Sequence, residues 1–230
     1  MTENFANIYE IFCSFQGEGI YLAQPQIFVR FSGCNLQCSY CDTPKTRQAN
    51  AGENYTVAQA LDKIISLKKS KLKPKVVSFT GGEPMLHADF IAVLAQKLKK
   101  IGLKIYLETN GTMPQEFEKI KKYVDVVAMD IKLPSACGKE LWQAHKAFLK
   151  SAGKKVFVKI VLENKTTVTE FSKAVLLVDS VSKNIPVVLQ PATAPKKINL
   201  KKLWDFYNLA SGKLINVRIV EQMHKYWRVR

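Results

Sequence analysis

Three of the chain's five cysteines fall within eight residues, Cys34, Cys38 and Cys41, in the spacing C-x3-C-x2-C. Cysteine thiolates are the usual protein ligands of iron–sulfur clusters, and a [4Fe–4S] cluster ordinarily takes four of them. Three would hold three irons and leave the fourth without a protein ligand, and an open metal position is where a substrate or cofactor binds. Zinc is the alternative for the same thiols. A closed structural zinc site wants four ligands, usually from paired C-x2-C knuckles, whereas the other two cysteines, Cys13 and Cys137, are single and distant, and no histidine lies in this stretch. A disulfide framework fits poorly with an odd cysteine count and with an N-terminus that does not read as a secretion signal. The reading is therefore a cytoplasmic chain with reduced thiols.

The apolar run at 27–31 just before the thiols reads as a strand, so they sit on the loop leaving its C-terminal end. Further apolar runs at 76–79, 104–108, 125–129, 156–161, 186–189 and 215–220 read as strands. They alternate with amphipathic helical stretches at about 56–69, 87–101, 115–122, 139–152, 167–183 and 199–210. This is the pattern of successive parallel βαβ units. Six or so units are fewer than the eight of a closed barrel, so the expected fold is α/β, an open, partial (β/α)6-type TIM-like barrel. It would form a single domain over residues 1–230, with 1–25 as an N-terminal extension and 26–230 as the barrel.

Polar residues fall where such a barrel carries its chemistry, at the C-terminal ends of the strands. Thr80-Gly81-Gly82-Glu83-Pro84 follows one strand, and Glu108-Thr109-Asn110-Gly111 the next; Asp130-Ile131-Lys132 and Gln190-Pro191 end two others. A Gly-Gly turn brings backbone groups close to a ligand, and Glu83 adds an acceptor suited to an ammonium. Ahead of the first barrel strand, Gln16-Gly17-Glu18-Gly19 offers an amide and a carboxylate between glycines. Each turn alone is ordinary; together with the cysteine loop they converge on one rim. Trp142, Trp204, His87 and His145 read as structural, and Cys13 and Cys137 as small hydrophobes, whereas His224 follows the last strand and is placed to face the pocket.

Length and a 47% hydrophobic content suit one sizeable core, and no run approaches the length of a membrane span. Net charge is +16, from 35 Lys and Arg against 19 Asp and Glu. The excess is mostly lysine scattered through helical stretches such as 68–73 and 97–100, without an arginine stripe, interleaved aromatics or a nucleic-acid motif. It reads as a solvated surface that steers anionic small molecules, with neither nucleic acid nor membrane as partner.

With Tyr40 just before the last cysteine, the C-x3-C-x2-C loop resembles the signature of the radical S-adenosylmethionine (SAM) enzymes. In that superfamily SAM chelates the open iron, and an electron from the cluster cleaves it to methionine and a 5′-deoxyadenosyl radical that abstracts hydrogen from substrate. Gly81-Gly82-Glu83-Pro84 resembles the superfamily's GGE motif, which binds the SAM amino group. The resemblance also implies SAM contacts from Tyr40, Glu108 and Asn110, and from Asp130, Ile131, Lys132 and Gln190 around the ribose and adenine. Phe12-x-Ser14-x-Gln16-Gly17-Glu18-Gly19, Cys41-Asp42-Thr43 and Gln222-Met223-His224-Lys225-Tyr226 are similar to the 7-carboxy-7-deazaguanine synthases, almost end to end. That family contracts the ring of 6-carboxy-5,6,7,8-tetrahydropterin to 7-carboxy-7-deazaguanine, releasing ammonia, for queuosine or other deazapurines. The resemblance implies Mg2+ held by Thr43 and a substrate site of Phe15, Gln16, Gly17, Glu18, Arg30, Thr80 and His224; family members vary at the C-terminus, where a terminal residue can touch the pterin, and the sequence assigns no such role to Arg230. It also implies a homodimer and an electron donor such as flavodoxin. The nearest rival is a glycyl-radical-enzyme activating enzyme, which shares the cysteine motif but must admit a protein loop; a zinc-dependent nucleic-acid-binding module would use the same cysteines and the charge.

Overall fold

A computed structural model describes residues 4–193, 197–227 and 229. Nine strands make one sheet in the order β3-β1-β2-β4-β5-β6-β7-β8-β9. They are β1 Phe5–Phe15, β2 Pro25–Phe31, β3 Glu53–Thr56, β4 Val76–Gly81, β5 Lys104–Thr109, β6 Val126–Asp130, β7 Val156–Leu162, β8 Val187–Pro191 and β9 Val217–Ile219. From β2 through β9 every pairing is parallel, while β1 runs antiparallel to both β2 and β3. The sheet is not closed, and β3 and β9 are its edges.

The helices are α1 Val57–Lys68, α2 Ala88–Lys100, α3 Pro114–Ile120, α4 Pro134–Cys137, α5 Trp142–Ala152, α6 Val168–Val181, α7 Leu200–Ser211 and α8 Met223–Trp227. Local chemistry sets their starts. Thr56 with Gln59 and Thr167 with Glu170 form reciprocal capping boxes at α1 and α6, and the Asn199 side chain accepts from Lys202 N–H at α7. The barrel strands are apolar on both faces because helices cover one side and strand residues fill the other; all seven residues of β7 are buried. Phe31 packs against the rings of Phe79, Phe90 and His87 between the sheet and α2.

The seven barrel strands and six long helices lie where the hydrophobic pattern puts them, within a few residues. Four features differ. The N-terminal strand is eleven residues long and belongs to the sheet, with a register shift between Ile8 and Glu10. The short, largely exposed β3 was not expected. The helix expected from 139 starts at Trp142, and a separate single turn, α4, precedes it, ended by Gly138 at φ 71° in the left-handed region. Trp204 is 57% exposed rather than core, packed edge-on against Tyr207. Arg230 lies outside the described residues.

Phe31 is fully buried whereas Phe5 is 51% exposed. Phe31→Ala is expected to cost about 3–5 kcal/mol, while Phe5→Ala stays within about 0.5 kcal/mol. Thermal denaturation checks this, at roughly 2–4 °C per kcal/mol for a chain of this size.

Candidate active site

The cysteine loop leaves β2 through Gly33, whose φ of 89° lets the chain turn sharply at the strand's end. Its backbone is tied down on both sides. Gly33 N–H donates to Thr46 O at 2.8 Å, Cys34 N–H to Arg47 O at 3.2 Å and Ser39 N–H to Ala136 O at 2.9 Å. The Arg47 guanidinium donates to Cys38 O at 2.6 Å. Across the sheet, Gly82 N–H reaches Phe31 O at 3.0 Å and Glu83 N–H reaches Gly33 O at 2.8 Å. Two neighbouring strands thus deliver the cysteine loop and the Gly-Gly turn to one rim.

There the three thiols line one cavity of about 590 Å3. Each is free. Burial pushes the Cys34 thiol up and the Cys38 thiol to about 11, so a thiolate forms there only against the charge of a metal. Among the described residues, the one trio of His, Cys, Asp or Glu ligand atoms within 4.8 Å of one another is Glu18, Asp42 and His224, so the cysteine sulfurs do not converge on a single ion. Separated thiols suit a cluster in which each takes a different iron. Other walls of the same cavity hold buried acceptors without a partner, Asp130 Oδ1 and Gln190 Oε1. The two acceptors call for a ligand bearing hydroxyl and amino donors, as a nucleoside does. The donor set therefore fits both a cluster and SAM.

Most residues expected to hold SAM line this cavity: Tyr40, Gly81, Gly82, Glu108, Asn110, Asp130, Lys132 and Gln190. Two do not. Ile131 is fully buried in the core, with its N–H bonded to Lys159 O. Glu83 is 1% exposed, and its carboxylate accepts from Met85 N–H, Thr109 Oγ1 and Asn110 N–H at 3.0, 2.7 and 2.7 Å. It joins the turn after β4 to the end of β5 rather than facing the cavity. Beside it, His145 Nε2 meets Asn110 O at 3.1 Å, which requires the Nε2–H tautomer, while Nδ1 has no partner.

Every residue expected to bind substrate or Mg2+, Phe15, Gln16, Gly17, Glu18, Arg30, Thr43, Thr80 and His224, lines the same cavity. Gln16 Nε2 and Thr80 Oγ1 donate to the two oxygens of Glu108 at 2.9 and 2.7 Å. Arg30 Nε pairs with Glu10 at 2.9 Å. The N-terminal loop and the C-terminal segment interlock. Met223 N–H bonds Gly17 O at 2.9 Å, and a Cβ on Gly17 would lie 2.6 Å from His224 Cβ. His224 lies 3.9 Å from Glu18 and 3.7 Å from Asp42, and Gln222 Nε2 donates to Glu18 at 2.8 Å. Burial and the charge of Asp42 oppose the charge on Glu18, but the Lys159 ammonium, by its charge and its hydrogen bond, together with the Gln222 amide, holds the carboxyl low. Burial likewise opposes the charge on Asp42, and the hydrogen bond from His224 with the charge of Lys225 carries its carboxyl far below the usual range.

Sequence reasoning missed Lys159 and Arg47, and gave Gln222 and Asp42 no role of their own. One signal was present: Lys159 is the single charged residue in the apolar run Val156-Phe157-Val158-Lys159-Ile160-Val161-Leu162, and a charge there must find a partner.

An open parallel barrel carrying three thiols and a Gly-Gly turn on one rim is the architecture of the radical SAM superfamily, whose family model matches residues 28–167. The chain is 35% identical to the 7-carboxy-7-deazaguanine synthase of Geobacter sulfurreducens, over 98% of each protein. It is 36% identical to that of Archaeoglobus fulgidus, over 98% of this chain and 99% of the relative. The crystal structure of QueE from Escherichia coli superposes with a TM-score of 0.64, covering 96% of this chain and 95% of that one at 23% identity. The chain belongs to the 7-carboxy-7-deazaguanine synthase family. Membership of the superfamily implies a [4Fe–4S] cluster and SAM, and the relatives' names do not favour the activating-enzyme rival. Among the described residues no helix is long and apolar enough to cross a membrane.

Burial lowers His145 from an ordinary 6.5 to about 4. Between those values the unfolded chain binds a proton that the folded chain refuses, so stability falls as pH drops through this window. Acidification from pH 6.5 to 4 is expected to cost up to about 3 kcal/mol through this residue. Denaturation midpoints across that range should fall more steeply in the native chain than in His145→Gln.

Proposed function

We propose that the chain converts 6-carboxy-5,6,7,8-tetrahydropterin to 7-carboxy-7-deazaguanine with release of ammonia, a carbon–nitrogen lyase reaction. The observation that carries this is the Gln16–Glu18 loop, locked by the C-terminal segment over the cavity that holds the three thiols. When bound, the cluster and SAM supply one-electron cleavage and hydrogen abstraction at the pterin C6. Cys34, Cys38 and Cys41 would hold the cluster. The backbone of Gly81 and Gly82, the Asn110 amide and the acceptors of Asp130 and Gln190 would hold SAM, with Lys132 fixed by Asp130 at 2.8 Å and over the Tyr40 ring.

At the other end of the cavity, the Glu18 carboxylate accepts two N–H groups, which is what the edge of an aminopyrimidinone presents, and Gln16 and Gly17 add an amide and a backbone group. Arg30 is a planar fork for the substrate carboxylate, held in place by Glu10. Thr43 offers Mg2+ one hard oxygen, the ion keeping the rest of its shell from water and that carboxylate. Thr80 is oriented by Glu108. Phe15 and His224 close the mouth. Product differs from substrate by one ammonia and the overall change is redox-neutral, so no outside oxidant is consumed. A homodimer in the cytoplasm, reduced by a flavodoxin-type donor, completes the proposal.

After anaerobic reconstitution with iron and sulfide, and with reductant, SAM and Mg2+, mass spectrometry should detect 7-carboxy-7-deazaguanine from the tetrahydropterin. Cys38→Ala should abolish both product and the broad absorbance near 400 nm, and Thr43→Val should lower turnover about tenfold or more with the Mg2+ response blunted. A cluster that cleaves SAM slowly without product would refute the substrate assignment and favour the activating-enzyme rival.

A further inference from the structure

Strand β7 is buried along its whole length and apolar except for Lys159, whose side chain is 8% exposed and reaches into the cavity. A buried ammonium is costly unless paired, and a cavity-facing one on a rigid central strand is placed with little freedom. Its partner is Glu18, which accepts from Lys159 Nζ through Oε2 at 2.5 Å. Asp130 of β6 and Glu108 of β5 also face it. The neighbouring cations are already engaged, Lys132 by Asp130 and Arg30 by Glu10. On its outer side Glu18 meets Gln222, His224 and Asp42, and Asp42 repels it.

We propose that Lys159 is a specificity-determining residue: from β7 it holds Glu18 ionised and aimed, so that the cavity demands two N–H donors on the edge of the ring it binds. The selected class is a 2-amino-4-oxopyrimidine ring, and the rejected class is the 2,4-dioxo analogue. This rests on the reading of Glu18 as the group that meets the pyrimidine edge. Without Lys159, Glu18 would stand buried beside Asp42 with only His224 and the Gln222 amide against it. A carboxyl so placed takes up a proton, which turns one of its acceptors into a donor. A protonated Glu18 would then donate to the 2-oxo group as readily as it accepts from a 2-amino group. Discrimination, more than affinity alone, is what Lys159 supplies.

Calorimetric titration of the reconstituted, SAM-loaded enzyme under argon with 6-carboxypterin and with 6-carboxylumazine tests this. The native chain is expected to prefer the pterin roughly 10–100-fold, the penalty of leaving buried acceptors unpaired. Lys159→Met should bring the ratio to within about threefold, and Lys159→Arg should keep most of it. Equal weakening of both ligands in Lys159→Met, with the ratio preserved, would overturn the inference and leave the reading of Glu18 intact. Absence of any preference in the native chain would overturn both. Should Lys159→Met not fold, the double variant Lys159→Met with Glu18→Gln removes the charged pair together. Its ratio should equal that of Glu18→Gln alone if Lys159 acts through Glu18, and a further drop would refute that.

Discussion

The site depends on two backbones meeting with nothing between them. A Cβ on Gly82 would lie 1.9 Å from Gly33 O, and one on Gly81 would lie 2.2 Å from Phe31 O. No side chain fits either gap, so the end of β2 and the turn after β4 are pressed together by hydrogen bonds that only glycine permits. This contact sets the distance between the thiols and the turn that faces them. The cysteine loop has little secondary structure of its own, and its geometry is borrowed from that meeting and from the Thr46–Arg47 backbone behind it. Catalytic groups on loops need such a scaffold, because a loop alone does not hold atoms to the precision chemistry requires.

Glu83 extends the same constraint to the third strand. Its carboxylate is buried, and burial raises its proton affinity against the three donors that favour the anion. Those donors come from Met85, Thr109 and Asn110, so the residue clamps the turn after β4 to the end of β5. Asn110 is then held again by Asn35 of the cysteine loop at 2.8 Å. A closed circuit results, from the loop after β2 through β4 to β5 and back. The carboxylate that the motif suggests for a ligand's ammonium is engaged by three donors of its own chain. The neighbouring Gly81 and Gly82 line the cavity.

The barrel strands and long helices were legible because parallel strands buried on both faces leave continuous apolar runs, and helices leave a 3.6-residue period. The edge was not. Glu53–Thr56 is polar, short and exposed, and it is a strand only because Phe5–Ile8 offers it a partner. The site divided the same way. Residues within contiguous motifs, the cysteines, the Gly-Gly turn and Gln16 to Glu18, announced themselves through spacing. Glu83 and Ile131 sat in equally good motifs, but motif membership does not tell which way a side chain points. Lys159 and Arg47 act through partners far away in the chain, Glu18 and Cys38, and such pairings appear only once the strands are side by side.

Net charge misdirects for a similar reason. In a parallel barrel the helices end at the rim where the strands begin, opposite the cavity. Lysines crowd those ends: Lys68 of α1, Lys97, Lys99 and Lys100 of α2, Lys119 of α3 and Lys150 of α5. Lys68 caps the Ile101 carbonyl there, and Lys155 those of Lys121 and Val124, where the negative ends of helix dipoles favour cations. At the cavity the balance is different. Arg30, Lys132 and Lys159 each face a carboxylate, Glu10, Asp130 and Glu18. Part of the +16 is therefore carried at the foot of the barrel, while the paired charges at the cavity leave almost no trace in the total.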